Sequence, residues 1–267
     1  MCSSDLIKNK VAVITGGASG IGAGVAVELA KLGVKIVLGD MNEEGLNAKV
    51  EEILKNGGEA IAVKTNVTQE ADVIKLMDAA IETYGAINIV VPSAGIFRDA
   101  FMISTDRETG KVFKTMSTSQ FMDVINVNLL GTFLTIREAS VRMIDHKCEG
   151  VLFTISSINK EGQLGQLNYS STKASVALWP KILAGEFHAK NIKGIRIVGI
   201  APGYVETPLL LGMKPEVLES IVKDVTIGRL VKIDEIVNAL IFAIQNEAVT
   251  GTTLEITGGV ISRGLMK

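Results

Sequence analysis

Cysteine and histidine are scarce in this chain of 267 residues, and each shortage removes a class of protein. Two cysteines, Cys2 and Cys148, cannot build a disulfide framework, so a reduced, cytoplasmic setting is expected. Two histidines, His146 and His188, are too few and too scattered for a zinc site, and no metal is expected. No run of about 18 uncharged apolar residues is present, so no membrane-spanning helix is expected. The opening MCSSDLIKNK is polar and has no apolar h-region, so no secretory leader is expected. Charge of one sign is not in excess either. The 27 Lys+Arg against 29 Asp+Glu leave a net charge of -2, with no footprint for nucleic acid or an anionic membrane surface. No linker, low-complexity tract or short internal repeat breaks the chain, so a single domain over residues 1–267 is expected.

What is present is apolar: 47% of the residues, enough to fill a sizeable core and too many for a disordered chain. Short β-branched runs lie at Val11–Thr15, Val34–Leu38, Ala60–Val63, Ile87–Val91, Val151–Ile155, Ile195–Ile200 and Leu254–Ile256. They are continuous rather than alternating, as strands covered on both faces require. Between them, apolar residues three and four apart predict helices over Ile21–Lys31, Glu43–Lys55, Glu70–Thr83, Ser119–Met143, Ser170–Ala189 and Asp234–Gln245. The alternation predicts an α/β fold: one doubly wound, Rossmann-type parallel sheet of seven strands with helices on both faces.

Two places break the rhythm. Arg98–Ser119 is a polar insert whose Thr109-Gly110 pair can turn a small hairpin; it either reshapes the substrate mouth or decorates the surface. Pro180 falls inside the helix expected over Ser170–Ala189, so either the helix bends at Ala177–Pro180 or its boundary lies elsewhere.

The first strand runs into Thr15-Gly-Gly-Ala-Ser-Gly-Ile-Gly22 and then a helix. Gly16, Gly20 and Gly22, spaced G-x-x-x-G-x-G, suit a backbone that approaches a pyrophosphate at a helix N-terminus, where a β-carbon would hold the phosphates off. Turn geometry alone is the plainer explanation, and Gly17 lies outside the spacing. Asp40 ends the second strand about 20 residues on, where a carboxylate would hold a ribose 2′-hydroxyl and repel a 2′-phosphate. Neither Ser19 nor Met41 is basic, so NAD is favoured over NADP. The alternative for Asp40 is a helix N-cap before Asn42–Glu44.

Tyr169 and Lys173, four apart, share one helix face, and Ser156 ends the fifth strand of the expected sheet thirteen residues earlier. Each alone is a common surface or capping arrangement. Together with Thr15–Gly22, Asn128 in NVNLLGTF, and Pro202-Gly203 with Thr207, they resemble the short-chain dehydrogenase/reductase family from Lys10 to about Gly259, its 3-oxoacyl thioester reductases most of all.

That resemblance implies a set of roles. Tyr169 would exchange a proton with the substrate oxygen, Ser156 would hydrogen-bond that oxygen, and Lys173 would hold the nicotinamide ribose and favour tyrosinate. Asn128 would hold a water of the proton relay. The cofactor would lie along Thr15, Gly16, Ser19, Gly20, Ile21, Gly22, Asp40 and Met41, with Asn66 and Val67 at the adenine. Ala94 and Gly95, and Pro202, Gly203, Val205 and Thr207, would complete its site. The substrate implied is a small molecule, a 3-oxoacyl or 3-hydroxyacyl thioester, with another hydroxyl substrate (a small alcohol, a sugar or a steroid-like molecule) as the alternative. A nucleotide-binding regulator without turnover would lack Tyr169, Lys173 or Ser156, and none is missing. The implied assembly is a homotetramer or homodimer, and Pro180 falls in the helix that commonly forms the family's subunit interface.

Two departures stand out, with two features of open meaning beside them. The family's Asn-Asn-Ala-Gly reads Pro92-Ser93-Ala94-Gly95, which removes an N–H and shortens the reach of the bracing side chain. Asn66 stands where Asp is usual. The amphipathic stretch Leu209–Ile227 is either a lid over the crevice or a surface helix burying Leu218 and Ile221. Met102, Met116 and Met213 are either soft pocket lining or core filling.

Overall fold

All five residues of β1 (Val11–Thr15) are buried, because the strand lies mid-sheet with helices on both sides. The computed structural model describes residues 7–260. In chain order β1 is followed by α1 (Gly20–Lys31), β2 (Lys35–Asp40), α2 (Glu43–Lys55), β3 (Ala60–Lys64), α3 (Glu70–Tyr84) and β4 (Ile89–Pro92). A hairpin of β5 (Ile103–Thr105) and β6 (Val112–Thr115) precedes α4 (Thr118–Val124) and α5 (Gly131–Asp145). Then come β7 (Gly150–Ile155), α6 (Leu167–Ala189), β8 (Ile195–Pro202), α7 (Pro208–Leu211), α8 (Pro215–Val222), α9 (Ile233–Gln245) and β9 (Thr252–Ile256).

Seven of these strands form one parallel sheet in the order β3-β2-β1-β4-β7-β8-β9. Chain direction through the sheet reverses at β1, which pairs with β2 on one side and β4 on the other. Alternate side chains serve opposite layers. Ala12 and Ile14 pack with Val25 and Leu29 of α1 and Leu240 of α9, while Val11 and Val13 face Leu76 of α3 and Ala139 of α5. The doubly wound architecture expected from the sequence is therefore present.

β4 pairs with β7 only at Ile89 and Val90. Ser93 N donates to Thr15 O on the β1 side, so strand alternation puts the missing N–H of Pro92 on the β7 side, where the ladder has already ended. Pro92 therefore leaves no ladder partner unmet there.

The helix expected over Ser119–Met143 is interrupted. α4 passes through a π-helical turn, Ile125–Leu130, before α5 begins. An extra residue in one turn leaves the apolar period nearly intact, which is why the pattern reads as one helix. α6 begins at Leu167, earlier than expected, and runs unbroken through Pro180. Pro180 removes the donor that would meet Val176 O, and the adjacent Ala177 carbonyl accepts from Thr253 Oγ1 of β9 at 2.8 Å. The weakened turn is thus braced from the sheet.

The insert forms the expected hairpin. Asp106 Oδ1 accepts from Thr109 N and Oγ1, both at 2.8 Å, and Gly110 takes the positive φ of +67°. Ala100 N donates to Gly165 O at 2.8 Å, which ties the arm to the loop before Tyr169. Phe101, Met102, Ile103, Val112 and Phe113 (69%) are exposed along it. Met102 and Met213 are exposed and fill no core, and Met116 is only half-buried. No residue of α8 is buried: Leu218 and Ile221 are half-covered rather than anchored.

Candidate active site

The glycine loop is shaped by packing as much as by access. Gly16, at φ +70°, lies where a β-carbon would come within 2.7 Å of Ala94 N. A β-carbon on Gly22 would collide with Ser93 Oγ and Gly16 O. Only Gly20, at φ +57°, faces open space. Gly16 and Gly22 therefore also let the β1 and β4 ends close on each other, and Gly20 with Ser19 and Ile21 forms the open rim. Ser19 is the N-cap of α1 and makes no side-chain cap bond, so no side chain of its own covers the helix N-terminus. An anion-sized cradle with a positive dipole end is what a dinucleotide pyrophosphate requires.

Ser93 braces the loop by a shorter route than the asparagine that the resemblance implies. Its Oγ donates to Thr15 O at 2.5 Å, and Thr15 Oγ1 accepts from Ala94 N at 3.5 Å. The brace on the glycine loop survives, made from the vacancy that Gly22 leaves.

Asp40 lies at the end of β2, half-buried. Its Oδ2 accepts from Ala18 N at 3.2 Å and its Oδ1 from Asn42 N at 3.0 Å. It is not the cap of α2: that is Asn42, whose Oδ1 accepts from Gly45 N at 3.1 Å. Asp40 instead ties the strand end to the glycine loop, with lone pairs left for a diol. Met41 is exposed beside it. Asn66 Oδ1 accepts from Thr68 N and Oγ1 at 3.1 and 2.9 Å. The Val67 side chain is buried and packs where Gly131 lacks a β-carbon, so only its backbone can serve a nucleotide. At the far side of the crevice Pro202 ends β8, Gly203 N donates to Ile256 O, and Val205 bridges to Val231. Thr207 caps α7, its hydroxyl accepting from Leu210 N.

Tyr169 projects from the first turns of α6 and is 7% exposed. Burial pushes its phenol up to about 12, against a lowering by a hydrogen bond from Ser157; Asp99 raises it further. Lys173 is buried one turn on; burial lowers its ammonium to about 8, and its Nζ donates to Ile155 O at 2.8 Å. Its Nζ lies 5.4 Å from the centre of the Tyr169 ring. Burial therefore holds the phenol protonated, about 3 kcal/mol from its ordinary ionisation, beside an ammonium that burial also disfavours.

The serine expected at the phenol is not the one found there. Ser156 Oγ is buried and donates to the Lys173 carbonyl at 2.7 Å. Ser157, at the start of the 3-10 turn Ile158–Glu161, accepts from Asn159 N at 3.1 Å and turns its hydroxyl to Tyr169. The doublet Ser156-Ser157 thus sends one hydroxyl to the Lys173 carbonyl and one toward the phenol.

Asn128 sits in the π-helical turn with its side chain fully engaged. Oδ1 accepts from Ile96 N at 2.8 Å and Nδ2 donates to Ile96 O at 3.0 Å. A relay water would have to use its backbone carbonyl, which also accepts from Thr132 Oγ1 at 2.8 Å. Phe97, unforeseen in the sequence, stacks on the Tyr169 ring with centroids 4.4 Å apart and planes at 28°. A groove of about 470 Å³ borders Ser19 and Gly20 on the α1 side, and neither Tyr169 nor Lys173 lines it.

Residues 10–216 match the family model described as short chain dehydrogenase. The chain belongs to that family. It is an oxidoreductase acting on CH–OH groups. The chain is 34% identical over 261 residues to an uncharacterized oxidoreductase of Mycobacterium bovis, covering 96% of this chain and 98% of that protein. A 3-oxoacyl-(acyl-carrier-protein) reductase of Thermotoga maritima is 30% identical over 257 residues, covering 96% and 99%. Among solved structures, a 7α-hydroxysteroid dehydrogenase complexed with NADH and 7-oxo glycochenodeoxycholic acid superposes with a TM-score of 0.85 at 28% identity, over 99% of each chain. Among the described residues no helix is long and apolar enough to cross a membrane, and no cluster of His, Cys, Asp or Glu could hold a metal.

Proposed function

We propose that this protein is an NAD(H)-linked oxidoreductase that interconverts a secondary alcohol and a ketone, with Tyr169 as the general acid/base. The observation that carries this reading is the convergence of the Tyr169 phenol, the Ser157 hydroxyl and the Lys173 ammonium in a buried place beside the β7 end. A bound nicotinamide supplies or accepts the hydride. In oxidation Tyr169 takes the hydroxyl proton; in reduction it returns one to the carbonyl oxygen. Ser157 donates to the oxygen on which charge develops. Lys173, its ammonium oriented by Ile155 O, favours the phenolate electrostatically and would hold the nicotinamide ribose. Asn128 fixes Ile96 and, through its carbonyl, offers an acceptor to a relay water.

The choice of NAD over NADP rests on Asp40, with no basic side chain at Ser19 or Met41 to receive a 2′-phosphate. Thr15, Gly16, Gly20, Gly22, Asn66, Val67, Ala94, Gly95, Pro202, Gly203, Val205 and Thr207 complete the proposed cofactor site along the carboxyl ends of the strands. The stretch Leu209–Ile227 is read as a lid of the same domain, and a homotetramer as the assembly.

A 3-oxoacyl or 3-hydroxyacyl thioester is the first substrate reading, supported by the similarity to 3-oxoacyl-(acyl-carrier-protein) reductases. A second, an alicyclic alcohol, is favoured by the aromatic face that Phe97 presents at Tyr169. Relatives bearing the names 2,5-dichloro-2,5-cyclohexadiene-1,4-diol dehydrogenase and cis-4-hydroxycyclohexanecarboxylate dehydrogenase support it, at 32% and 33% identity.

The deciding experiment is Tyr169→Phe assayed with NADH and a panel of ketones. Turnover is expected to fall roughly 100- to 10,000-fold, the range for a lost general acid, with NADH binding retained by fluorescence titration. A variant that turns over at the parental rate removes the proposal.

A further inference from the structure

The Phe97 ring is held in place by the elements that carry the reacting groups. On one side of it, the Ile96 N–H and carbonyl are both bound by the buried Asn128 side chain, at 2.8 and 3.0 Å. On the other, the Arg98 carbonyl accepts from Asn168 Nδ2 at 3.0 Å and Gln120 Nε2 at 3.1 Å. Asn168 is fully buried and its Oδ1 accepts from Tyr169 N at 2.8 Å. The π-helical turn and the start of α6 therefore clamp residues 96 and 98, and Phe97 between them has little freedom.

One face of the ring lies against Tyr169, yet Phe97 is 41% exposed. An aromatic side chain clamped beside a buried acid/base group, but left open elsewhere, is unsatisfied apolar surface at the point where substrate must arrive. The exposed Phe101 and Met102 extend apolar surface outward along the arm tied to Gly165. A rigid ring laid on a rigid aromatic face gains contact without freezing rotors, whereas a linear chain of equal carbon count loses several.

We propose that Phe97 is the specificity-determining residue of this site, selecting ketones and alcohols whose reacting carbon belongs to an apolar ring that packs against its exposed surface. The inference rests on the oxidoreductase reading above and deepens its second substrate class.

The test compares 2-decalone with 2-decanone, a bicyclic and a linear ketone of ten carbons each, with saturating NADH and separately NADPH. The wild-type ratio of kcat/KM favours the ring. Phe97→Ala lowers that ratio about tenfold, chiefly through KM for the decalone, since an aromatic contact and its buried area are lost. Phe97→Leu, which keeps apolar volume without the flat face, lowers it as well, and Phe97→Tyr retains it. An unchanged ratio in the Ala and Leu variants, or a wild type without preference for the ring, overturns the assignment. A purely structural role reduces both ketones alike and also overturns it. Dissociation constants for the two ketones, measured by ligand-observed NMR with cofactor present, carry the same ratio without turnover. If wild type reduces neither ketone nor any other, the oxidoreductase reading fails, and the binding ratio still decides the role of Phe97.

Discussion

The Ser157 hydroxyl keeps the Tyr169 phenol's pKa lower than burial alone would set it. Ser156, one position earlier, points into the core and holds the Lys173 carbonyl. The two alanine variants should therefore separate cleanly. Ser157→Ala is expected to lower kcat/KM roughly 100- to 1000-fold, the usual loss for a preorganised donor at a developing oxyanion, with about 0.5–2 kcal/mol of stability lost with its cap on Asn159 N. Ser156→Ala leaves a buried carbonyl without its partner and is expected to cost about 1–2 kcal/mol of stability while most turnover survives. Steady-state kinetics with thermal melts on both variants checks this; the opposite partition returns the role to Ser156.

Asp40 bonds the Ala18 and Asn42 N–H groups and leaves acceptor capacity toward the crevice. Removing the carboxylate removes both the diol acceptor and the repulsion of a 2′-phosphate. Asp40→Ala is expected to move the NADH/NADPH ratio of kcat/KM toward NADPH by about tenfold or more, since hydrogen bonds to a charged group are worth about 1.5–3 kcal/mol. Because Asp40 also anchors the glycine loop, some affinity for both cofactors should be lost. An unmoved ratio contradicts the proposed preference for NAD.

Lys173 is a buried ammonium whose pKa is lowered to about 8 by desolvation, against an ordinary value of 10.5. Between those values the unfolded chain binds more protons than the folded one, so this group makes stability rise with pH from about 8 to about 10.5. Below about 8 that contribution is gone. Tyr169 acts in a higher window: its pKa is raised to about 12, so its contribution is present below 10 and lost as pH climbs toward 12. Lys173→Met is therefore expected to abolish turnover, raise the melting temperature of the cofactor-free protein at pH 7, and flatten its rise between pH 8 and 10. Calorimetry across that range checks it, and parallel wild-type and variant curves would refute it.

The sheet and its helices were legible because β-branched runs buried on both faces and helices with one apolar stripe differ in period, as Val11–Thr15 and Glu70–Tyr84 do. The π-helical turn at Asn128 was not, since one inserted residue barely disturbs that period. Tyr169 and Lys173 followed from a spacing that a helix enforces. Ser156 and Ser157 could not be told apart, because their directions depend on where β7 ends and the 3-10 turn begins. Gly16 and Gly22 read as phosphate glycines, and only the backbone of Ala94 and the hydroxyl of Ser93 reveal that packing requires them. Phe97 carried no signal at all: its place is set by bonds from Asn128 and Asn168, both remote in sequence.

Thr253 Oγ1 donates to Ala177 O beside the turn that Pro180 weakens. Thr253→Val keeps the shape and removes the donor. A loss of about 1–2 kcal/mol is expected by chemical denaturation, the range for leaving a partly buried acceptor unmet. In a Pro180→Ala background, where the helix can close its own ladder, the same substitution should cost less. Equal losses in the two backgrounds would show that Thr253 does not serve the proline.

Asp99 faces Tyr169 from the arm and raises its pKa, while its Oδ2 accepts from Gln166 Nε2 at 2.7 Å. The charged groups identified at the phenol are thus Asp99 and Lys173, of opposite sign. Asp99→Asn removes the negative charge and keeps an oxygen for Gln166. Alcohol oxidation needs the phenolate as base, so kcat/KM should rise with pH through the phenol's ionisation in the free enzyme. With Asp99 neutralised, that rise is expected at lower pH than in the parent, the sign following from the loss of a field that disfavours a second anion. Asp99 is exposed, so its field passes partly through solvent and is screened over about 10 Å at 0.1 M salt. The displacement between the two profiles should therefore shrink as ionic strength rises. Profiles that coincide even at low salt would assign the raised phenol pKa to burial alone, and leave Asp99 as nothing more than the anchor of Gln166.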